Sequence, residues 1–287
     1  MNPERLLQQF DRITDSPDSI PLLRRFILDL AVRGRLVVQD SNDESAAQLL
    51  RRIQAEKARL VKEGKIRRQD GLPLVAKEDQ PFLAPAAWLW ERLANLSRKI
   101  HYGFTASADK SIRSVRLLRI TDIQDNAVNW DSVPGCEIAD EQVEQFKLEA
   151  GDILIARTGG TIGKTFLVSQ ISVTSVFASY LIRVQGSTHL CYQYLKLFFE
   201  SSVYWKQLED GTRGAGQPNV NGQALGRMIV PLPPLAEQHR IVAKVDELMA
   251  LCTQLEAQLT ATKDVSRRLL EAVLHEALHS TDEKEGS

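Results

Sequence analysis

Residues 231–259, PLPPLAEQHRIVAKVDELMALCTQLEAQL, constrain this chain more than any other stretch. Pro231, Pro233 and Pro234 fix φ and remove backbone donors, so helix is forbidden there and a β-like segment ends. Directly afterwards Ile241, Val245, Leu248, Cys252, Leu255 and Leu259 recur at alternating four- and three-residue spacing. That spacing sets all six on one seam of a helix. A long helix with such a seam is stable only when the seam is covered. The chain is therefore a globular part joined to a long helix that needs a partner, which is the anatomy of a spacer more than of an enzyme.

The 287 residues suffice for one large domain or two small ones, and 43% apolar with 25% charged residues is ordinary for a chain with a sizeable core. A net charge of −1 gives no bulk attraction to nucleic acid, so any electropositive surface is local. Cys136, Cys191 and Cys252 have no metal-ligand spacing, and so sparse a set fits a reducing compartment. No run approaches the roughly 20 apolar residues of a membrane span, and MNPERLLQQF lacks an apolar signal core. A cytoplasmic protein without membrane association is expected.

Four regions are expected. Residues 1–85 form an N-terminal helical region and linker. Leu22, Leu23, Phe26, Ile27, Leu30 and Ala31 make a helical stripe that Gly34 stops. Ser41–Glu44 offer capping for a second helix that runs to about Lys62. Leu49, Leu50, Ile53 and Leu60 are expected inside it, Arg51, Arg52, Glu56, Lys57 and Arg59 outside, and Gly64 ends it. Residues 86–234 are a mixed lobe of short strands (115–120, 152–156, 165–168 and 180–184) between Gly, Asn and Asp turns, interrupted by a helix from Cys191 to about Leu208. Residues 235–280 are the spacer helix, about 65 Å long at 1.5 Å per residue. Its seam weakens at Thr262 and Ser266 and resumes at Leu269, Leu270, Val273 and Leu274. Residues 281–287 are a frayed tail. The class is α+β. The basic-apolar order of residues 267–278 also echoes that of residues 22–31, which hints at a unit that could repeat in tandem.

GGTIGKT at 159–165 invites comparison with a phosphate loop. The first glycine of that loop would fall on Thr158, and a β-like segment follows where a helix must open. A glycine-rich β-turn is the better reading. Arg157, Thr158, Thr161 and Lys164 then supply donors suited to phosphates or base edges. Residues 98–119 are locally basic: Arg98, Lys99, Lys110, Arg113, Arg116 and Arg119 surround Tyr102 and Thr105, which suits a nucleic-acid surface, or else a solvated strand edge. The loop GTRGAGQPNVNG brings Arg213, Gln217, Asn219 and Asn221, whose amides can read adenine, or serves as a flexible connection. The five histidines form no metal pattern, and no nucleophile elbow or dinucleotide fingerprint occurs, so no catalytic and no metal residue is assigned.

Four segments in this order resemble the specificity subunits of type I restriction–modification systems. They are LLRRFILDLAVRGRLV with EKARLVKEGKI; WLWERL followed by IHYGFTASA; VRLLRITDI leading to GDILIARTGGTIGK and SYLIRV; and QPNVNGQALGRMIVPLPPLAEQHRIVAKVDEL. The likeness spans about residues 20–279. It implies a non-catalytic chain whose recognition domain grips half of a bipartite double-stranded DNA site. Helices in such proteins space two domains and bind methyltransferase subunits. S-adenosylmethionine is expected on those subunits, with no cofactor on this chain. With one recognition domain where full-length relatives carry two, the chain is expected to pair with itself or with another half. Ile241, Val245, Leu248 and Leu255 are expected to pack on symmetry mates or on the N-terminal helices, and Leu23, Phe26, Ile27, Leu30, Cys252 and Leu259 are expected at the same dimer or subunit interface. The resemblance leaves open whether restriction motor subunits join. The competing reading is a coiled-coil adaptor whose β-rich domain binds protein.

Overall fold

The computed structural model describes residues 18–68, 72–212 and 219–282. Two compact units emerge: one is Leu28–Lys244, and the other joins the first helix as far as Ile27 to the chain from Val245 onward.

Helix α1 (Ser19–Val32) and helix α2 (Ala46–Lys62) come first. Gly34 and Gly64 follow them at φ +66° and +69°, the left-handed conformation that closes helices and that a side chain would strain. The α2 cap is Ser45 and not the preceding 41–44 run: its hydroxyl accepts from the Gln48 N–H, and the Gln48 side chain accepts from the Ser45 N–H. Ala46, Leu49 and Ile53 are buried as their spacing requires. Glu56 and Lys57 correct the expected outer face. Glu56 is buried and accepts from the Ser187 hydroxyl and from the Thr188 N–H and hydroxyl. Lys57 Nζ donates to the Ala94 carbonyl at 2.5 Å. Helical periodicity locates a face but does not reveal that a polar patch lies opposite it.

The chain continues through β1 (Leu89–Arg92), α3 (Leu93–Leu96), β2 (Ser97–Tyr102), β3 (Arg116–Leu118), β4 (Ile123–Gln124), β5 (Ala127–Val128), α4 (Asp140–Phe146), β6 (Ile153–Ala156), β7 (Thr165–Leu167), β8 (Ser175–Phe177) and β9 (Leu181–Gly186). Then come α5 (Tyr192–Glu200), α6 (Ser202–Thr212), α7 (Gly222–Arg227), β10 (Ile229–Leu232) and α8 (Leu235–Asp282). The expected single helix at 191–208 is two, because Ser201 turns extended (φ −76°, ψ 159°). The Ser201 hydroxyl donates to the Phe198 carbonyl and accepts from the Tyr204 N–H.

The main sheet has the order β2-β9-β6-β7 and is antiparallel throughout. All four β6 residues are buried because both faces of the strand are covered. Ile153 and Ile155 enter a core with Leu49, Ile53, Phe198 and Tyr204. Leu154 and Ala156 enter another with Leu118, Phe166 and Phe177. The helical N-terminal region and the strands thus share one core through α2. β3 pairs in parallel with β8, and β1 pairs with β10. Pro231 lies inside β10, where a proline is tolerated because the strand has a neighbour on one side only.

The first turns of α8 are embedded in the larger unit. Glu237 accepts from the Trp88 indole at 2.9 Å and from the Gln39 amide. Gln238 accepts from the Cys191 N–H and donates to the Pro233 carbonyl, each at 3.0 Å. Arg240 forks onto Asp43 at 2.5 and 3.1 Å, which is the use the structure makes of a residue expected to cap α2.

In the smaller unit Val245 and Cys252 are buried and Leu248, Leu255 and Leu259 half-buried, while Asp246, Glu247, Ala250, Leu251 and Thr253 are exposed. The seam is as its spacing predicts. Part of its cover is intrachain: Arg24 of α1 donates to Glu256 at 2.7 Å and to Thr253 at 3.1 Å. On α1 itself, Ile27 is buried and Leu23, Phe26 and Leu30 are half-buried. Farther along α8 Val265, Leu269, Leu270, Val273 and Leu274 are all exposed, Leu269 by 65%. Among the described residues no helix is long and apolar enough to cross a membrane.

Candidate nucleic-acid interface

Three chain segments converge at one end of the main sheet, where β2 and β6 both finish. Tyr102 ends β2, Arg157 follows β6, and Asn219–Gly222 lead into α7. The Arg157 guanidinium lies 4.6 Å over the Tyr102 ring. Its Nε donates to Asn219 Oδ1 at 3.4 Å, and its carbonyl accepts from the Val220 N–H at 3.0 Å. The Tyr102 hydroxyl accepts from the Gly222 N–H at 3.1 Å. The cation therefore rests on a ring that is itself anchored. Asn221 is committed locally: its Oδ1 caps α7 by accepting from the Ala224 N–H at 2.8 Å. Its side-chain oxygen thus serves as the helix cap.

The 157–164 turn is a hairpin loop with a single 3₁₀ turn, and a strand follows it. It lacks the helix that a phosphate loop requires. Gly159 and Gly163 have φ +77° and +79°. A Cβ at Gly163 would lie 2.2 Å from Leu208, and the Tyr204 hydroxyl donates to the Gly163 carbonyl at 2.9 Å, so the loop is pinned to α6. Thr158 and Thr161 are half-buried, and Lys164 is exposed. Thr105 and Lys110 are exposed on the loop after β2. Arg213 and Gln217 lie outside the described residues.

Four of the expected basic residues are engaged by the fold. Arg98 donates to the Gly186 carbonyl and Arg113 to that of Asp131, both at 2.9 Å. Arg116 is a correction: only 7% exposed, it sits in β3 and donates to the Val133 carbonyl at 3.0 Å. Arg119 grips Asp122 at 2.7 and 3.0 Å, which neutralises it and raises its pKa. Sequence proximity made these look like one patch, whereas strand alternation and local acceptors scatter them.

Tyr180 was assigned to a strand by its sequence, but it sits in the turn before β9, 68% exposed, with its carbonyl accepting from the Arg157 N–H at 3.2 Å. Arg68, Gln223 and Arg227 line, with Tyr102 and Asn221, a cleft of about 740 Å³. These side chains share one cleft with Tyr102 and Asn221, and only the folded topology brings them there. Among the described residues no group of three or more His, Cys, Asp or Glu could hold a metal ion.

A buried polar network runs within the main sheet. Arg183 of β9 ion-pairs with Asp152 at 3.1 Å and donates through Nε to His101 Nε2 at 2.9 Å. Burial, then Arg183 and then Lys99 push the His101 pKa down to about 3. Neutral His101 therefore carries its proton on Nδ1, facing the Tyr102 carbonyl at 3.2 Å. A depressed folded value means that stability is present above about pH 6.5 and is lost as pH falls toward 3. His101→Gln keeps an acceptor for Arg183 and cannot titrate. Its denaturant midpoint is expected to fall less than wild type between pH 6.5 and 4.5.

The family model for the type I restriction modification DNA specificity domain matches residues 123–262. The Escherichia coli type I restriction enzyme EcoAI specificity subunit is 33% identical over 286 residues, 97% of this chain and 48% of that protein. The chain belongs to the type I restriction–modification specificity family. The EcoEI specificity subunit, also of Escherichia coli, is 30% identical over 97% of this chain and 48% of its own length. This family member therefore spans about half the length of the curated relatives it matches. Its fold is shared with a chain of a type I R-M system solved for its assembly and conformational transition (TM-score 0.53, 18% identity, 96% of this chain and 59% of that one). It is shared too with the HsdS subunit of Thermoanaerobacter tengcongensis (TM-score 0.50, 18% identity, 93% of this chain and 57% of that one).

Proposed function

We propose that this chain reads one half of a bipartite duplex DNA target and positions methyltransferase subunits for adenine-N6 methylation, leaving the chemistry to them. The observation that carries this reading is the Tyr102–Arg157–Asn219 constellation, built from three segments at one edge of a specificity-family lobe. S-adenosylmethionine belongs to the methyltransferase partner, restriction motor subunits can join the complex, and the assembly works in the cytoplasm.

One lobe touches few base pairs, and each bidentate base contact supplies about 1–3 kcal/mol of discrimination. Specific DNA binding exceeds non-specific binding by roughly 10³–10⁷. Two lobes held at a fixed distance make the second contact intramolecular and reach that range. A second copy of this chain meets the need through the exposed Leu269–Leu274 stripe of α8, and twofold symmetry then gives an inverted-repeat site.

Lys164, exposed on the hairpin loop, is assigned to a phosphate. Lys164→Ala is expected to weaken binding of the chain–methyltransferase complex to all duplexes alike and to lower the log–log salt slope by about 1. Gel shifts across a salt series measure both. An unchanged affinity and slope would remove the 157–164 loop from the interface. A wild-type complex that retains no duplex would favour the protein-binding adaptor instead.

A further inference from the structure

We infer that Arg157 is a guanine-reading residue and that Tyr102 is its positioning platform; this deepens the DNA-reading proposal and rests on it. A carboxylate offsets the charge of three other arginines: Arg119 meets Asp122, Arg183 meets Asp152, and Arg240 meets Asp43. Arg157 is fixed differently. An aromatic face 4.6 Å away and one amide oxygen at 3.4 Å orient it, and neither cancels its charge. Among the described residues no acceptor engages its Nη1 or Nη2. Stacking of that kind leaves the two-nitrogen edge of the fork open in the plane of the guanidinium.

A purely structural role would need the side chain to hold the 219–222 segment. Backbone groups already do so: Val220 N–H donates to the Arg157 carbonyl, Gly222 N–H to the Tyr102 hydroxyl, and Ala224 N–H to Asn221. A preset fork with open parallel donors matches the O6 and N7 acceptors of guanine in the major groove. A phosphate contact needs only charge, and the freely jointed Lys164 supplies that without a platform.

The test is selection of bound sequences from a random duplex pool by the full chain with its methyltransferase partner. Wild type is expected to enrich a motif containing guanine. Arg157→Lys keeps the charge and loses the fork. Guanine preference at one position should fall about 5- to 150-fold, with non-specific retention and its salt slope unchanged. Tyr102→Leu should lower preference at the same position. An unaltered motif in Arg157→Lys, or a preference lost at an A·T pair, overturns the assignment alone. If wild type enriches no motif, the DNA-reading proposal falls and this inference with it. Thermal unfolding of Arg157→Lys at the wild-type midpoint separates lost reading from lost fold.

Discussion

Arg183→Met is expected to lower stability by about 3–5 kcal/mol at neutral pH, because it removes one partner of a buried ion pair and strands the other. Arg183 is 3% exposed, and its guanidinium serves four acceptors: Asp152 at 3.1 Å, the Gln145 carbonyl at 3.1 Å, the Lys147 carbonyl and His101 Nε2 at 2.9 Å. Methionine fills similar space and donates to none. Burial already holds the Asp152 carboxyl above its ordinary range, against the pull of Arg183 and of the Glu149 N–H. Without the guanidinium it rises further. A carboxyl whose folded pKa is raised gains stability as it protonates, so the deficit should shrink as pH falls from 7 toward the range where Asp152 titrates. Arg183→Met with Asp152→Leu should lose less than Arg183→Met alone, since no charge is then left behind. Guanidinium denaturation across pH reads both effects. A single-variant loss under about 1 kcal/mol would mean that water reaches the pair.

Insertion of one heptad after Leu259 is expected to abolish recognition of the original site and to create recognition of one with a longer gap. Seven residues add about 10 Å of helix and rotate the downstream stripe by only about 20°, so Leu269, Leu270, Val273 and Leu274 keep their phase. At 3.4 Å per base pair the gap should grow by about 3 base pairs for each helix that contributes its length. Five inserted residues turn the stripe by about 140° and should destroy pairing rather than lengthen it. Methylome sequencing of cells expressing each variant with the methyltransferase reports the gap directly. An unchanged gap after the heptad insertion would end the proposal that α8 is a ruler.

Much of the scaffold was legible before folding. The 4-3 spacing from Ile241 to Leu259 gave the seam of α8, and Gly34 and Gly64 gave the ends of α1 and α2, because these signals are local in the backbone. Four of the short strands were located to within a residue or two, as at β6, whereas the polar SRKIHY sequence of β2 was weighed only as a solvated strand edge and β8 was not located. The failures share one cause. Glu56, Arg116 and Tyr180 were placed by residue type, but their partners (Ser187 and Thr188, Val133, and Arg157) stand elsewhere in the folded chain.

Composition and periodicity by themselves determined that a mixed α+β lobe is followed by a long helix with an apolar seam, since burial patterns are written in residue spacing. Only the tertiary structure decided which of the many cations could be free for a ligand. Strand alternation and local acceptors engaged Arg98, Arg113, Arg116 and Arg119, while a distant ring and amide left the Arg157 charge uncancelled. A charge's availability depends on its neighbours in space, and sequence distance does not encode them.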